Sequence, residues 1–390
     1  MLIVANRFYP QIGGAEITTY HQANELSKHF DVDVVTPIRD RDARRERVGD
    51  VNITRASNVL NPTGAYPFLL GKTFCPRVVE RVLLGHYDLI HCYPALNYNN
   101  VAALHLAGLR KTPIFLTNFD LFDFAALLDQ GMDVSDFGRL KLTDRSRKRL
   151  ARFNAIFAIS NRETNLIKAE NPNTFLSRVP IVLDEYTGEA DTAGLRSRLG
   201  IAPEKKVVLC LSRVSHLKGQ DILLKALPAL RARIDNFVCV IAGTTEFEPD
   251  YAAGLENFVA KNNLNDHVLF TGSLPRADVI AALRMCDVHV LPMRFMNAGS
   301  INTETWMSGR PIIQSTRVDP CHVEDGINGF SFDIDDESML VDRLVEVLSD
   351  DAMARTMGEN GKKLAEEKFH YPALIAQYLD IYRQCGGIEP

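Results

Sequence analysis

Two basic side chains, Arg213 and Lys218, flank a short turn that follows the apolar run VVLCL. The turn reads LSRVSHLKGQD and leads into a helical pattern from Asp221. An arginine fork and a lysine point charge at the end of a strand are suited to binding a diphosphate. The alternative is a solvated basic loop, and His216 between the two cations is interpreted as an ordinary loop histidine. The turn is therefore a candidate anion site.

A second strand-to-helix turn occupies residues 292–315, PMRFMNAGSINTETWMSGRPIIQS. A strand is predicted to end at Pro292 and a helix to begin near Ser300, where Ser300, Asn302 and Thr303 would offer backbone N–H groups to an anion. Glu304, one turn further, has the chemistry to accept hydrogen bonds from a ribose diol. The alternative, favoured for this residue taken alone, is a carboxylate that complements the helix dipole.

Two turns of the first half of the chain carry weaker signals. In FYPQIGGAE the pair Gly13 and Gly14 precedes a helix, and a backbone without Cβ atoms can approach a phosphate or a sugar closely. Many such turns use glycine for geometry alone. Further along, His91, Asn118 and Asp120 end two middle strands and are predicted to face a cleft, although polar residues at strand ends are often structural.

Short apolar runs alternate with amphipathic segments along the whole chain. Such runs separated by helices indicate parallel sheets that are covered on both faces. The series breaks at residues 184–196, which are polar and lack periodicity, so two doubly wound domains are predicted. Strands are predicted at MLIVA, VDVVTP, DLIHCY, PIFLTNF, AIFAIS, RVPIVL, KVVLCLS, FVCVIAG, HVLFTG, DVHVLPM and PIIQS, and helices at Ile17 to Lys28, Asp221 to Arg233, Tyr251 to Lys261 and Ala277 to Leu283.

Composition bounds the class of protein. A length of 390 residues favours two domains, and 46% hydrophobic with 24% charged residues is typical of a globular chain. A net charge of −5 argues against a dedicated duplex-DNA binder, so no nucleic-acid partner is expected. The seven cysteines are scattered and are interpreted as reduced thiols. No signal peptide or 18-residue apolar stretch is visible, so we expect a cytoplasmic protein or one on the cytoplasmic face of a membrane.

Taken together in order, these turns resemble a known family. FYPQIGGAE, LSRVSHLKG, HVLFTGSLP and the block from LPMRF through ETWMSGRPIIQS to DGINGFSF match the retaining, nucleotide-sugar-dependent glycosyltransferases of family 4, glycosyl transferases group 1. The resemblance covers nearly all of the chain. It implies the α/β GT-B fold, in which two doubly wound Rossmann-like domains face a central cleft. Residues 1–186, with a C-terminal helix at about 372–390, would bind the acceptor, and residues 187–371 the nucleotide sugar.

The resemblance also implies a role for individual residues. Arg213 and Lys218 would hold the diphosphate, and Glu304 would be the second glutamate of the family's Glu-x7-Glu motif and bind the ribose. The turn from Phe270 to Gly272 would lie near the base. Asn118 would stand where the family usually has a strand-end histidine. Further donor contacts are expected at Gly13, Gly14, Met296, Gly299, Ser300, Ile301 and Asn302.

The sequence departs from the family pattern at three places. Met296 occupies the position of the first motif glutamate, which ordinarily contacts the transferred sugar. Asn118 in LTNFD replaces the usual histidine, and an amide does not titrate near pH 7. The usual Asn-Gly-Val-Asp before the linker is IVLD here and keeps only Asp184.

The implied reaction transfers a sugar from a UDP- or GDP-sugar to a hydroxyl of an acceptor sugar, a lipid-linked glycan or a small molecule. The Asp-x-Asp spellings at 31–33 and 333–335 are interpreted as solvated acids, so no metal and no cofactor beyond the nucleotide-sugar co-substrate is predicted. Three alternatives stay open. They are a catalytically lapsed nucleotide-sugar-binding partner subunit, a sugar-nucleotide epimerase of the same architecture, and a nicotinamide-dependent dehydrogenase. Against the dehydrogenase, neither first turn of this sequence carries the Gly-x-Gly-x-x-Gly fingerprint of that class.

A basic segment runs from Arg139 to Arg152. It holds seven cations and, as its one acid, Asp144. Such a run suits an anionic membrane surface or an anionic acceptor, and a solvated helix face is an equally good interpretation. A peripheral position on the inner face of a membrane is therefore one expectation for this protein.

Overall fold

The computed structural model describes residues 1–10, 14–38, 44–59, 74–94, 96–119, 142–297, 299–319 and 322–389. The chain forms two compact units. Unit 1 comprises Met1–Val179 and Tyr371–Pro390, and unit 2 comprises Pro180–His370. The boundary thus follows Val179, whereas the sequence analysis put it after residue 186. Within the described ranges, every helix is too short or too polar to span a bilayer.

Unit 1 is built on an eight-stranded sheet with the order β3-β4-β2-β1-β5-β6-β7-β8. All neighbouring strands are parallel except the β3–β4 pair at one edge, which is antiparallel. The strands are β1 Leu2–Ala5, β2 Val32–Pro37, β3 Arg45–Val48, β4 Val51–Ala56, β5 Ile90–Tyr93, β6 Ile114–Asn118, β7 Ala155–Ala158 and β8 Thr174–Leu176.

Helices cover both faces of this sheet, which is why its central strands are apolar on both sides. The helices are α1 Gly14–Leu26, α2 Pro76–Leu84, α3 Tyr98–Arg110, α4 Asp144–Leu150, α5 Asn161–Lys168 and the C-terminal helix, α13, Tyr371–Gly386. Helices α1 and α13 pack into one core with β1, β2 and β7. Helices α2 to α5 pack against the opposite face.

Unit 2 contains a six-stranded parallel sheet with the order β11-β10-β9-β12-β14-β16. A separate two-stranded parallel sheet pairs β13 with β15. The strands are β9 Lys206–Leu211, β10 Phe237–Ala242, β11 Val268–Gly272, β12 Val288–Leu291, β13 Met296–Asn297, β14 Ile312–Ser315, β15 Val318–Asp319 and β16 Gly329–Phe332. The helices are α6 Thr192–Arg198, α7 Gln220–Arg231, α8 Pro249–Lys261, α9 Arg276–Met285, α10 Ser300–Met307, α11 Glu337–Ser349 and α12 Asp351–Lys368.

The packing of α10 is set by close approach of α12. Trp306 is fully buried and donates a hydrogen bond from Nε1 to the Asn328 carbonyl at 3.0 Å. A Cβ on Gly361 of α12 would lie 2.1 Å from the Trp306 ring, and one on Gly358 would lie 2.1 Å from the Gly309 carbonyl oxygen. Glycine at these two positions therefore lets α12 lie directly on α10.

The strand predictions are largely confirmed, with one error and several omissions. The predicted strand RVPIVL is wrong, because β8 is Thr174–Leu176 and Ile181 makes only an isolated bridge to His370. The segment contains Pro180, which has no N–H to donate to a strand ladder. Strands β3, β4 and β16 were not predicted. Strand β3, RERV, lies at the sheet edge and is polar.

Candidate functional site

The strand order of unit 2 reverses at β9, since β10 and β11 lie on one side of it and β12, β14 and β16 on the other. Ligands of doubly wound sheets bind outside the carboxyl ends of strands at such a reversal. The connections after β9 and β12 approach each other closely there. A Cβ on Gly219, whose φ is +72°, would lie 2.0 Å from the Pro292 carbonyl oxygen. Glycine is required at position 219 because its φ is left-handed and because a side chain would collide with the Pro292 carbonyl.

The connection after β9 presents the two predicted cations. Arg213 is exposed, and its guanidinium lies 4.9 Å from the centre of the Phe247 ring. Lys218 is half-buried and its Nζ lies 3.7 Å from the Met293 sulfur. Burial, together with the Arg213 charge, lowers the pKa of Lys218 from 10.5 to about 8. Within the described residues neither cation has a carboxylate at ion-pair distance, so both charges are available to an anion.

An ion pair missed by the sequence analysis braces this connection. Arg294, just after β12, donates to both oxygens of Asp221 at 2.7 Å and to the His216 carbonyl at 2.7 Å. The Tyr251 hydroxyl donates to Asp221 at 2.7 Å. These donors outweigh burial and hold the pKa of Asp221 well below its usual range. The brace joins the loops after β9 and β12, and so fixes the backbone around Lys218.

Helix α10 begins at the loop after β12 without a side-chain cap. Its N-cap is Gly299, and no side chain of the described residues accepts from the first turn there. The free N–H groups and the helix dipole favour an anion at this end. Further along the helix, Thr305 is hydrogen bonded to His289 at 2.6 Å, and burial lowers the pKa of His289 to about 3. A neutral His289 thereby ties α10 to strand β12.

The other predicted residues of this helix have definite positions. Ser300 and Ile301 are half-buried in the first turn. Asn302 is buried and donates from Nδ2 to Gln314 Oε1 at 2.5 Å. Asn302 therefore binds strand β14 through one N–H of its amide group.

Glu304 is buried, with 8% of its surface exposed. Its Oε1 accepts from the Ser300 hydroxyl at 2.7 Å. Its Oε2 accepts from the Tyr186 hydroxyl at 2.6 Å and from Arg276 at 2.5 Å. Burial alone would raise the pKa of this carboxyl, but Arg276 and the two hydroxyls lower it below its ordinary value. Glu304 is thus a buried, ionised acceptor at the start of α10.

Several predicted residues of unit 1 are not brought to a described site. Gly13 and Asp120 lie outside the described residues, and Gly14 is the first residue of α1. Asn118 is fully buried at the end of β6, and its side chain has no hydrogen bond to any described residue. His91 is also fully buried, and the expectation that it faces a cleft is wrong. Its ring is hydrogen bonded to Tyr382 and, at 2.8 Å, to Thr117, so it anchors α13 to the sheet.

Met296 contributes its backbone to strand β13, which pairs with β15, and its side chain is outside the described part of the structure. The described residues contain no group of three or more His, Cys, Asp and Glu side chains arranged to hold a metal ion. What unit 2 does assemble is a pair of available cations, an uncapped helix N-terminus and an ionised carboxylate. Such a set can bind an anion and a neighbouring hydroxyl.

Family models match both halves of the chain. The model described as Glycosyltransferase Family 4 matches residues 12–174, and the model described as Glycosyl transferases group 1 matches residues 191–364. One curated relative is the GDP-mannose-dependent alpha-(1-6)-phosphatidylinositol monomannoside mannosyltransferase of Mycolicibacterium smegmatis, 28% identical over 55% of this chain and 57% of the relative. Another is the alpha-D-kanosaminyltransferase of Streptomyces kanamyceticus, 26% identical over 63% of this chain and 60% of the relative. The aligned region therefore spans less than two thirds of these relatives.

Solved structures match over more of the chain. HepE of Anabaena, crystallised in complex with UDP, superposes with a TM-score of 0.74 and 20% identity, covering 98% of this chain and 99% of HepE. At this level of identity the likeness establishes the fold alone.

Proposed function

The chain belongs to family 4 of the glycosyltransferases, glycosyl transferases group 1, and from that membership we propose that it transfers a sugar from a nucleoside-diphosphate sugar to an acceptor hydroxyl with retention of configuration. The observation that carries the proposal is the pair Arg213 and Lys218, whose charges have no carboxylate partner among the described residues. A half-buried lysine without a counterion carries a desolvation cost, and an anionic ligand would reduce that cost.

The diphosphate would lie between these cations and the N-terminus of α10. Loss of the nucleoside diphosphate from the anomeric carbon builds negative charge on its terminal phosphate. Fixed positive charge stabilises that developing charge, and removing one such donor costs on the order of 10²–10³ in rate. The Asp221–Arg294 ion pair fixes the loop that carries Lys218, so the cation needs little rearrangement to act. The family's front-face mechanism needs no protein nucleophile, because the leaving phosphate helps to deprotonate the acceptor.

A UDP- or GDP-sugar is the proposed donor. One relative is named as GDP-mannose-dependent, and HepE was crystallised with UDP-glucose. In this chain Glu304 is the residue proposed to receive the ribose hydroxyls, since it is ionised and lies one turn into α10. The proposed acceptor is a sugar, a lipid-linked glycan or a small molecule. No metal ion is included in the proposed reaction.

A panel of UDP, GDP, ADP and their sugars in a thermal-shift assay tests this proposal, because a ligand that binds only the folded state raises the melting temperature. We expect a shift with UDP or GDP, and slow release of the nucleotide from its sugar when no acceptor is added. A protein that no nucleotide stabilises at millimolar concentration contradicts donor binding. Stabilisation without any release or transfer favours the lapsed partner subunit, which the replacement of a motif glutamate by Met296 also fits.

We also propose that α4 of unit 1 contacts an anionic membrane surface. A hollow of about 400 Å³ is lined by four cations and one acid together with His105 of α3: Arg145, Lys148, Arg149, Arg152 and Asp144. Leu109 of α3, one helical turn after His105, has 77% of its surface exposed. Cations beside an exposed apolar side chain suit anionic headgroups, each cation contributing about 1 kcal/mol.

Co-sedimentation with vesicles of phosphatidylserine and phosphatidylcholine tests the membrane contact. The triple variant R145E/K148E/R149E should lose vesicle binding. The double variant K362E/K363E, which reverses two cations of α12 in unit 2, should keep it. Equal binding by the triple variant and the wild type overturns the membrane contact and leaves the transferase proposal intact.

A further inference from the structure

The guanidinium of Arg276 bridges two carboxylates of unit 2. From its NH1 group it donates to Glu304 Oε2 at 2.5 Å. From Nε and NH2 it donates to Glu185 at 2.9 and 2.5 Å. Its NH2 also donates to the Tyr186 hydroxyl at 3.0 Å. Every nitrogen of this side chain is therefore engaged, and the guanidinium plane is fixed although half of the side chain is exposed.

Its partners come from separate parts of unit 2. Glu185 and Tyr186 belong to a 3-10 turn, Leu183–Tyr186, which lies near the start of the unit. Arg276 is the first residue of α9, just after the turn that follows β11. Glu304 lies in α10. The cluster of these four side chains, called here the Arg276 cluster, joins three elements around one buried carboxylate.

The hydrogen bonds leave Glu304 one unused acceptor position. Among the described residues Oε1 receives one hydrogen bond, from Ser300, whereas Oε2 receives two. A carboxylate oxygen accepts about two hydrogen bonds. An incoming hydroxyl can therefore donate to Oε1 without displacing any member of the cluster. This hydrogen bond needs an ionised carboxylate, because protonation of Oε1 would turn that acceptor into a donor.

We propose that Arg276 is a positioning residue that holds Glu304 ionised and oriented to accept a ribose hydroxyl of the donor nucleotide. The inference rests on the proposed function, since it concerns the same donor site. A buried carboxylate without a cationic partner tends to take up a proton. Ser300 and Tyr186 are neutral, so Arg276 supplies the only positive charge within ion-pair distance of Glu304 in the described structure.

Binding of UDP and 2′,3′-dideoxy-UDP by calorimetry tests this role, with GDP and its dideoxy analogue used in their place if GDP binds more tightly. A hydrogen bond to a charged group discriminates by about 10- to 100-fold. The wild type should prefer the ribonucleotide by that factor, and E304Q should lose most of the preference. R276Q should lose nearly as much of the preference as E304Q does, because Glu304 in that variant has no cationic partner.

A matched control separates this role from simple loosening of the 3-10 turn. Arg284, on the same helix α9, donates to the carbonyls of Tyr186 and Gly188 and makes no contact with Glu304. R284Q should weaken the attachment of the turn yet keep the ribose preference. Loss of the preference in R284Q to the extent seen in R276Q overturns the proposal, as does a full preference in R276Q.

A conservative variant covers the case in which R276Q does not fold. Lysine at position 276 keeps the charge but cannot bridge both carboxylates. The preference of R276K for the ribonucleotide should therefore be at least about threefold smaller than that of the wild type, but larger than that of E304Q. A preference equal to that of the wild type in R276K contradicts the positioning role. If the wild type binds no nucleoside diphosphate at all, the proposed function itself fails. Tight binding of UDP and dideoxy-UDP alike overturns only the role of the Arg276 cluster.

Discussion

The unpaired charge of Lys218 should make the folded protein less stable than it would be without that charge. Replacing Lys218 by methionine keeps an unbranched side chain beside Met293 and removes the charge. The pKa of Lys218 falls from 10.5 to about 8 on folding. At about 1.4 kcal/mol per pKa unit, this corresponds to about 3.5 kcal/mol as an upper limit. We expect K218M to raise the free energy of unfolding by about 1–3 kcal/mol at pH 7 and to weaken nucleotide binding.

The pH dependence of this gain has a definite sign. Because the pKa of the lysine is lower in the folded state, the cost of its charge is complete below pH 8 and declines as the pH rises to 10.5. The stability difference between K218M and the wild type should therefore shrink to below about 1 kcal/mol at pH 10.

Urea unfolding at pH 7 and pH 10 measures both quantities. The fluorescence of Trp306 reports unit 2, because it is the chain's one tryptophan and is buried there. K261M, at the exposed end of α8, is the matched control and should change stability by less than about 0.5 kcal/mol. A K218M protein that is no more stable than the wild type at pH 7 refutes the reasoning.

Three further outcomes are expected. Calorimetry should show the UDP or GDP affinity falling by up to about 10-fold between pH 7.5 and 9.5 as Lys218 loses its proton. K218R should show no such fall, because arginine stays charged. An equal fall in both proteins contradicts the assignment of Lys218 as a cation that binds the diphosphate. Gly361→Ala should destabilise unit 2 by about 1–3 kcal/mol in urea unfolding, because the new Cβ would meet Trp306, and an unchanged midpoint argues against this contact. Tyr382→Phe should lower the melting temperature by leaving a buried nitrogen of His91 without its partner, at a cost of about 1–3 kcal/mol; a melting temperature equal to that of the wild type speaks against the anchoring of α13.

Much of unit 2 could be predicted from the sequence because its strands are continuous apolar runs between helical segments. The runs VVLCL and FVCVIA became β9 and β10 within a residue or two. The edge strand β3 was missed because RERV alternates exposed and half-buried side chains and carries no apolar signal. RVPIVL was misassigned because its apolar composition outweighed the proline within it.

The candidate site was only partly predictable for a related reason. Lys218 follows a strand at a strand-to-helix turn, so the local pattern was enough to select it. Glu304 was selected through the family resemblance, because its local pattern alone favoured a carboxylate that complements the helix dipole. The roles of Arg276 and Arg294 depend on partners that are distant in the chain. Arg276 contacts Glu185, 91 residues away, and Arg294 contacts Asp221, 73 residues away. A single sequence carries no signal for such pairs, which only the fold brings together.

The central claim is that the cations after β9 bind the diphosphate of a nucleotide donor. Isothermal titration of UDP and GDP into the wild type and into R213Q tests it most directly. We predict micromolar binding of at least one nucleotide to the wild type and a loss of about 10-fold or more in R213Q, as expected for a charged hydrogen bond. Binding of neither nucleotide by the wild type, or equal binding by both proteins, would contradict the claim.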